Sequence, residues 1–146
     1  MGKLQKGLFI FHRDFRIVDN VGLMKASKMV ESLYVCFIFT PEQITSRNKF
    51  KSDNAIQFMV QSLKDLSKEL GKTKGNLMLM YGENDKVVDE LIDRFNIDKS
   101  ECLIFEESLE GVSAAKNSGI KVIGITSSNS NKVLTDAGCN ISISNY

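Results

Sequence analysis

An excess of either charge, a membrane-length apolar run and a paired set of cysteines are all missing from this chain, and each absence closes a route. Nineteen Lys and Arg stand against eighteen Asp and Glu, a formal net charge of +1. Nothing in that balance draws the chain to nucleic acid or to an anionic membrane. No apolar stretch is long enough to cross a bilayer, and the opening MGKLQKG lacks the apolar core of a secretory signal. The three cysteines, Cys36, Cys102 and Cys139, are odd in number, and the first two sit inside apolar runs. They read as reduced packing residues, and the expected location is cytoplasmic. Gly-x-Gly-x-x-Gly, Walker and Cys-x-x-Cys patterns are also absent.

What is present is ordinary for a globular domain: 146 residues, 42% hydrophobic and 25% charged, a size that suits one core. Short apolar runs alternate with amphipathic segments from end to end. The runs are LFIF at 8–11, LYVCFIF at 33–39, LMLMY at 77–81, CLIF at 102–105, VIGI at 122–125 and a weak ISIS at 141–144. Continuous rather than alternating apolar character marks strands covered on both faces, as in parallel sheets.

The intervening segments carry helical spacing. Ile56, Met59, Val60, Leu63, Leu66 and Leu70 form one stripe, with Ser52 or Asp53 as its cap and Gly71 as its stop. Val87, Val88, Leu91, Ile92 and Phe95 form a second stripe after Asn84 and Asp85. Shorter helices are expected after Asn20, Leu109 and Ser130, the last two ending at Gly119 and Gly138. The rhythm predicts an α/β fold: a three-layer, Rossmann-like, doubly wound and mostly parallel sheet in one domain, with strand order 3-2-1-4-5 and the sixth run beside strand five. The loop at 42–51 is the longest irregular stretch, expected to be mobile. Ligands in such sheets lie beyond the carboxyl ends of the strands. That crevice would be framed by His12, Arg13 and Asp14, by Thr40, by Gly82 and Glu83, and by Glu106, Glu107 and Ser108.

Two stretches resemble known families. FIFHRDFRIVDNVGL at 9–23, with Arg13, Asp14, Phe15, Arg16, Asp19 and Asn20, resembles the opening of the photolyase/cryptochrome family. The likeness continues through VCFIFTPEQI, KSDNAIQFMVQSLKDLSKEL and LMLMYGEN, covering about residues 6–90. It implies the N-terminal antenna domain, with a folate or flavin chromophore. The large helical domain that holds the catalytic flavin and damaged DNA in that family has no room in 146 residues, so light-driven repair is not expected. In the same likeness Arg13, Asp14 and Arg16 form an ion-pair network that organises the domain.

From about residue 89 onward the text is similar to the closing half of haloacid-dehalogenase (HAD) hydrolases of the phosphoglucomutase-like branch. Phe105, Glu106, Glu107, Ser108, Gly111, Ala114, Ala115, Gly119 and Thr126 carry that likeness, with Glu107 where Asp is usual. It implies phosphoryl transfer with Mg²⁺, an Asp nucleophile, an Asp acid, a hydroxyl and a Lys. Aligned by strand ends, the nucleophile's place holds His12, Asp14 matches the acid, Thr40 the hydroxyl, Glu106 and Glu107 the metal ligands, and Lys86 loosely the cation. Imidazole brings no anionic ligand to the metal, so the set is broken at its first member.

Two family texts in one chain predict a hybrid, engineered or recombined, joined between residues 82 and 98 and without evolved catalytic activity. No cofactor is then expected, Mg²⁺ at Glu106 and Glu107 being the exception considered. His12 is expected to cap its strand, Ser108 to cap a helix, and the basic loop of Arg47, Lys49, Phe50 and Lys51 to be solvated rather than a nucleic-acid surface. No partner is identified, and the assembly expected is a monomer or a weak dimer, with the last run an exposed edge. The rival readings are a HAD-like phosphatase or Mg²⁺/phosphate binder and an antenna-chromophore domain.

Overall fold

A computed structural model describes residues 3–144. The elements alternate as the apolar runs require: β1 (Leu4–Phe11), α1 (Val21–Met29), β2 (Val30–Phe39), α2 (Pro41–Ile44), α3 (Asp53–Lys72), β3 (Leu77–Tyr81), α4 (Asn84–Arg94), β4 (Leu103–Glu106), α5 (Leu109–Asn117), β5 (Lys121–Ile125), α6 (Asn131–Ala137) and β6 (Ile141–Ile143), with one 3₁₀ turn at Lys99–Glu101. All strand pairings are parallel. The order expected from the sequence is met within each of two three-stranded sheets, β3-β2-β1 and β4-β5-β6. The chain divides into two compact units, residues 1–83 and 84–146.

In the first unit both crossovers advance in the same direction across the sheet. Right-handed connections therefore put α1 and α3 on one face. The core records this: Phe11, Val35 and Phe37 from the strands pack with Leu23 of α1 and with Leu63, Leu66 and Leu70 of α3. The aromatic rings meet edge-on, Phe37 lying 5.4 Å from Phe15 and 4.9 Å from Phe39 between centroids. Cys36 is fully buried, and burial pushes its thiol pKa up to about 11, so it packs as a protonated, inert side chain.

Several boundaries differ from those expected. β1 begins at Leu4, through an exposed stretch that carries no apolar signal, and β2 begins at Val30, directly after α1. Gly71 does not stop α3, which runs on to Lys72; the chain then reverses at Lys74, whose φ is +62°. Ser52 caps that helix, its Oγ accepting from Ala55 N–H at 3.4 Å. The loop after β2 is shorter than expected, because Pro41–Ile44 forms a helical turn.

The second unit is organised around Val112, Ala115, Val122, Leu134 and Cys139. Gly124 is held close to Cys139 and Leu134, where a Cβ would lie 3.1 Å from each side chain. Gly138 ends α6 with φ +116°, a backbone that only glycine adopts without strain. The Lys99 ammonium lies 2.8 Å from Asp89 Oδ1 and donates to the Ser118 carbonyl at 3.3 Å, fastening the 3₁₀ turn to α4 and to the end of α5. Among the described residues no helix is long and apolar enough to cross a membrane.

Candidate functional site

The expected crevice residues fall at the carboxyl edges of the two sheets, and each group is engaged locally. After β1 the chain turns through His12 and Arg13, both exposed, to Asp14. The expected ion-pair network is not what holds this turn. Among the described residues Arg13 and Arg16 make no salt bridge, and buried Asn20 organises the segment instead. Asn20 Nδ2 donates to Asp14 Oδ2 at 2.8 Å and to the Arg16 carbonyl at 3.2 Å, while its Oδ1 accepts from Leu23 N–H at 3.0 Å. One amide thus closes the loop and caps α1. Asp14, assigned above to an acid's place, is spent on this brace.

At the end of β2, Thr40 opens α2: its N–H donates to Gln43 Oε1 at 3.1 Å, and Gln43 N–H donates back to its carbonyl at 3.0 Å. The following loop is tied across the edge of the sheet. Arg47 lies 3.2 Å from Glu83 at the end of β3 and 3.6 Å from Glu42, and Lys51 lies 3.2 Å from Asp53. Gly82 N–H donates to the Phe39 carbonyl at 3.1 Å, so the ends of β2 and β3 stay side by side. Beneath the loop lies an open depression of about 220 Å³, lined by Gln43, Asn48, Phe50, Lys51, Ser52, Ala55, Ile56 and Met59. Phe50 is 94% exposed, the solvated position expected of it, and stands at the rim of this depression.

In the second unit Glu106, Glu107 and Ser108 build a strand-to-helix turn. Glu106 Oε1 accepts from the N–H groups of Glu107 and Ser108 at 3.0 and 2.8 Å and from Ser108 Oγ at 2.8 Å. Ser108 Oγ in turn accepts from Gly111 N–H at 3.1 Å, the cap expected of it. Glu107 reaches elsewhere: its carboxylate accepts from Ser127 Oγ, and its carbonyl accepts from Asn129 Nδ2 at 2.9 Å. The two carboxylates thus serve different partners. Among the described residues no group of three or more His, Cys, Asp or Glu is placed to hold a metal ion.

Gly111 is required by this turn, because a Cβ there would overlap the Glu106 side chain. Gly111→Ala is expected to cost about 1–3 kcal/mol by displacing the carboxylate from its three donors. In a Glu106→Ala background the same substitution should cost far less, since the collision is gone. Urea unfolding of both single variants and of the double variant measures the coupling. Additive losses would show that the two side chains do not compete for this space.

The comparisons with known proteins bear on the whole chain. The DNA photolyase family model matches residues 8–121. The cryptochrome DASH of Idiomarina loihiensis is 33% identical over 105 residues, which are 67% of this chain and 22% of the relative. The (6-4) DNA photolyase of Arabidopsis thaliana is 30% identical over 97 residues, 62% of this chain and 17% of that protein. Among solved structures, the archaeal photolyase of Sulfolobus tokodaii, described with two FAD molecules and the implication of a novel light-harvesting cofactor, aligns at a TM-score of 0.62 and 28% identity. That alignment covers 94% of this chain and 28% of the photolyase. The chain therefore spans about a fifth of the length of these curated relatives.

These findings overturn the hybrid without evolved activity. One family model runs through the whole of 82–98, where a junction was expected, and one photolyase structure accounts for nearly the entire chain. Likeness to HAD-like structures is weaker, at TM-scores of 0.46 and 0.45, and assigns nothing. The text at 105–115 has a local explanation. A carboxylate folded onto free N–H groups, a serine cap and a glycine that makes room are what a strand-to-helix turn demands, whatever the fold goes on to do. The chain belongs to the DNA photolyase family.

Proposed function

We propose that this chain is the light-harvesting α/β part of a photolyase or cryptochrome, holding a flavin-type antenna cofactor at the carboxyl edge of its first sheet. The observation that carries this reading is the alignment of 94% of the chain with a photolyase described with two FAD molecules and a novel light-harvesting cofactor. The antenna alternative raised from the sequence is thus the one that the family supports. The reading is confined to cofactor binding, because the matched relatives are several times longer than this chain.

The residues at the edge fit such a group. The depression joins an apolar wall of Phe50, Ala55, Ile56 and Met59 to polar side chains of Gln43, Asn48, Lys51 and Ser52. A flat aromatic ring system with hydrogen-bonding edges needs that mixture. At about 220 Å³ the space falls below the roughly 300 Å³ at which ligand pockets begin. It would take one ring system and leave the remainder of a dinucleotide outside it. A flavin bound there would supply absorption of blue and near-ultraviolet light. The chain's own residues in that lining would hold and orient it. The three unpaired cysteines support a reducing, cytoplasmic setting.

Titration of the purified chain with FMN and FAD tests this. Quenching of flavin fluorescence, with induced visible circular dichroism, should saturate near one flavin per chain at concentrations on the order of 10 µM. Phe50→Ala should weaken binding by about tenfold by removing the stacking wall. No saturable change with flavin up to about 1 mM would sink the reading. Binding indifferent to Phe50 would remove the depression as its site.

A further inference from the structure

We infer that the depression beneath the loop presents hydrogen-bond donors, and so selects a planar ring whose edge carries acceptors. This rests on the depression being the cofactor's site, and it names the kind of ring that fits there.

Three neutral polar side chains line the space, Gln43, Asn48 and Ser52. Each commits its oxygen to the local backbone. Gln43 Oε1 accepts from Thr40 N–H at 3.1 Å, Asn48 Oδ1 from Phe50 N–H at 2.9 Å, and Ser52 Oγ from Ala55 N–H at 3.4 Å. A backbone N–H can only donate, so it fixes which end of each amide is the oxygen. The amide NH₂ groups of Gln43 and Asn48 and the hydroxyl hydrogen of Ser52 make no bond among the described residues. They are left for a guest. Lys51 is the one charged side chain in the lining. Its ammonium lies 3.2 Å from Asp53 Oδ1 and keeps further hydrogens of its own.

Main-chain acceptors beside the space are engaged as well. The Asn48 carbonyl accepts from Lys51 N–H at 3.1 Å, and the Ser52 carbonyl accepts from Ile56 N–H at 3.0 Å. The other walls, Phe50, Ala55, Ile56 and Met59, are apolar. The polar part of the lining is therefore rich in hydrogens and poor in free lone pairs.

This separates rings of similar size. Oxidised isoalloxazine presents carbonyl oxygens and ring nitrogens as acceptors along one edge, interrupted by a single N–H. A pterin, the ring of a folate, sets an exocyclic amino group beside its carbonyl. That group would meet N–H with N–H, stripping both of water without pairing either. A site discriminates most strongly where a mismatch leaves polar groups unpaired.

Ring-only ligands test this, since they carry no phosphate for Lys51 to hold. Lumiflavin should bind the full chain at least about tenfold more tightly than pterin. Asn48→Asp and Gln43→Glu keep the oxygen that the backbone needs and replace the NH₂ donors with a second acceptor. Each should weaken lumiflavin binding by about tenfold at an unchanged urea midpoint. The Asn48→Asp loss should shrink as the pH falls toward ~4, where the carboxyl regains a hydrogen. Caffeine, which has acceptors and no donor, and diaminopurine, which carries amino groups, extend the test beyond flavins. Saturation-transfer NMR should show caffeine bound to the wild type, released by Asn48→Asp, and diaminopurine unbound. Caffeine bound in this way without lumiflavin would remove the flavin reading and uphold the donor lining. Lumiflavin binding that ignores both substitutions, or diaminopurine bound as well as caffeine, would overturn the donor lining and leave the flavin reading in place. Binding of neither lumiflavin nor caffeine would overturn both.

Discussion

Asn20→Ala is expected to destabilise the chain by about 2–4 kcal/mol, far more than the loss of one helix cap. The cap itself accounts for about 1 kcal/mol, through the Leu23 N–H that its Oδ1 receives. The same amide donates to Asp14 and to the Arg16 carbonyl, and Asn20 is only 3% exposed. Alanine leaves these acceptors without their partner in a space that water enters poorly, at about 1–3 kcal/mol further. Asn20→Ser separates the two contributions, because a serine hydroxyl can still cap α1 but does not span to Asp14. It should recover about 1 kcal/mol of the loss. Asn20→Asp keeps the cap acceptor but sets a second carboxylate against Asp14, and should be no better than alanine. Urea unfolding followed by circular dichroism ranks the four chains. A loss for alanine of less than about 1 kcal/mol would mean that the brace seen between β1 and α1 carries no weight.

That brace shows what the sequence disclosed and what it withheld. All six strands were legible because parallel strands are continuous apolar runs. The long helices were legible because Leu63, Leu66 and Leu70 repeat at helical spacing. The start of β1 was not, since Leu4, Gln5 and Lys6 are exposed and carry no period. The stop of α3 was misplaced at Gly71 because a glycine is tolerated in the last turn when Leu70 still packs beneath it. The Arg-Asp-x-Arg text drew attention to its charges, while the residue that holds the loop is the neutral Asn20.

The second half misled for a different reason. Glu106, Ser108 and Gly111 make a self-contained capping turn, so their likeness to another family is accounted for locally. Local text of this kind reports local geometry and says little of ancestry. The family signal lies in the order of several such pieces along the chain, and the match at 8–121 runs through both halves. The depression under 43–59 was out of reach of sequence reasoning, because it depends on Arg47 crossing to Glu83 and on where α3 begins relative to the end of β2. Neither distance is written in any one motif.

Phe37→Ala should be the most damaging single change in the first unit, at about 3–5 kcal/mol. Phe37 is 1% exposed, sits near the carboxyl end of the central strand, and joins Phe15 of the brace to Phe39 at the site edge by two edge-on ring contacts. Alanine leaves a cavity that a three-stranded sheet fixed on both sides by β1 and β3 cannot close. Phe37→Leu retains most of the volume and should cost about 1–2 kcal/mol. Phe58→Ala, an exposed aromatic on α3, should stay within about 0.5 kcal/mol. A functional consequence follows from the same geometry. Phe39 leads directly into Thr40 and Pro41, so loss of the ring beneath them loosens the entry to α2 and the wall of the depression. Flavin titration of Phe37→Leu, which should remain folded, is therefore expected to show weakened binding at a residue that never meets the cofactor. Unchanged affinity in that variant would mean that the edge of the sheet is held by the Arg47–Glu83 bridge and the Gly82–Phe39 hydrogen bond alone, with the core contributing stability but no positioning.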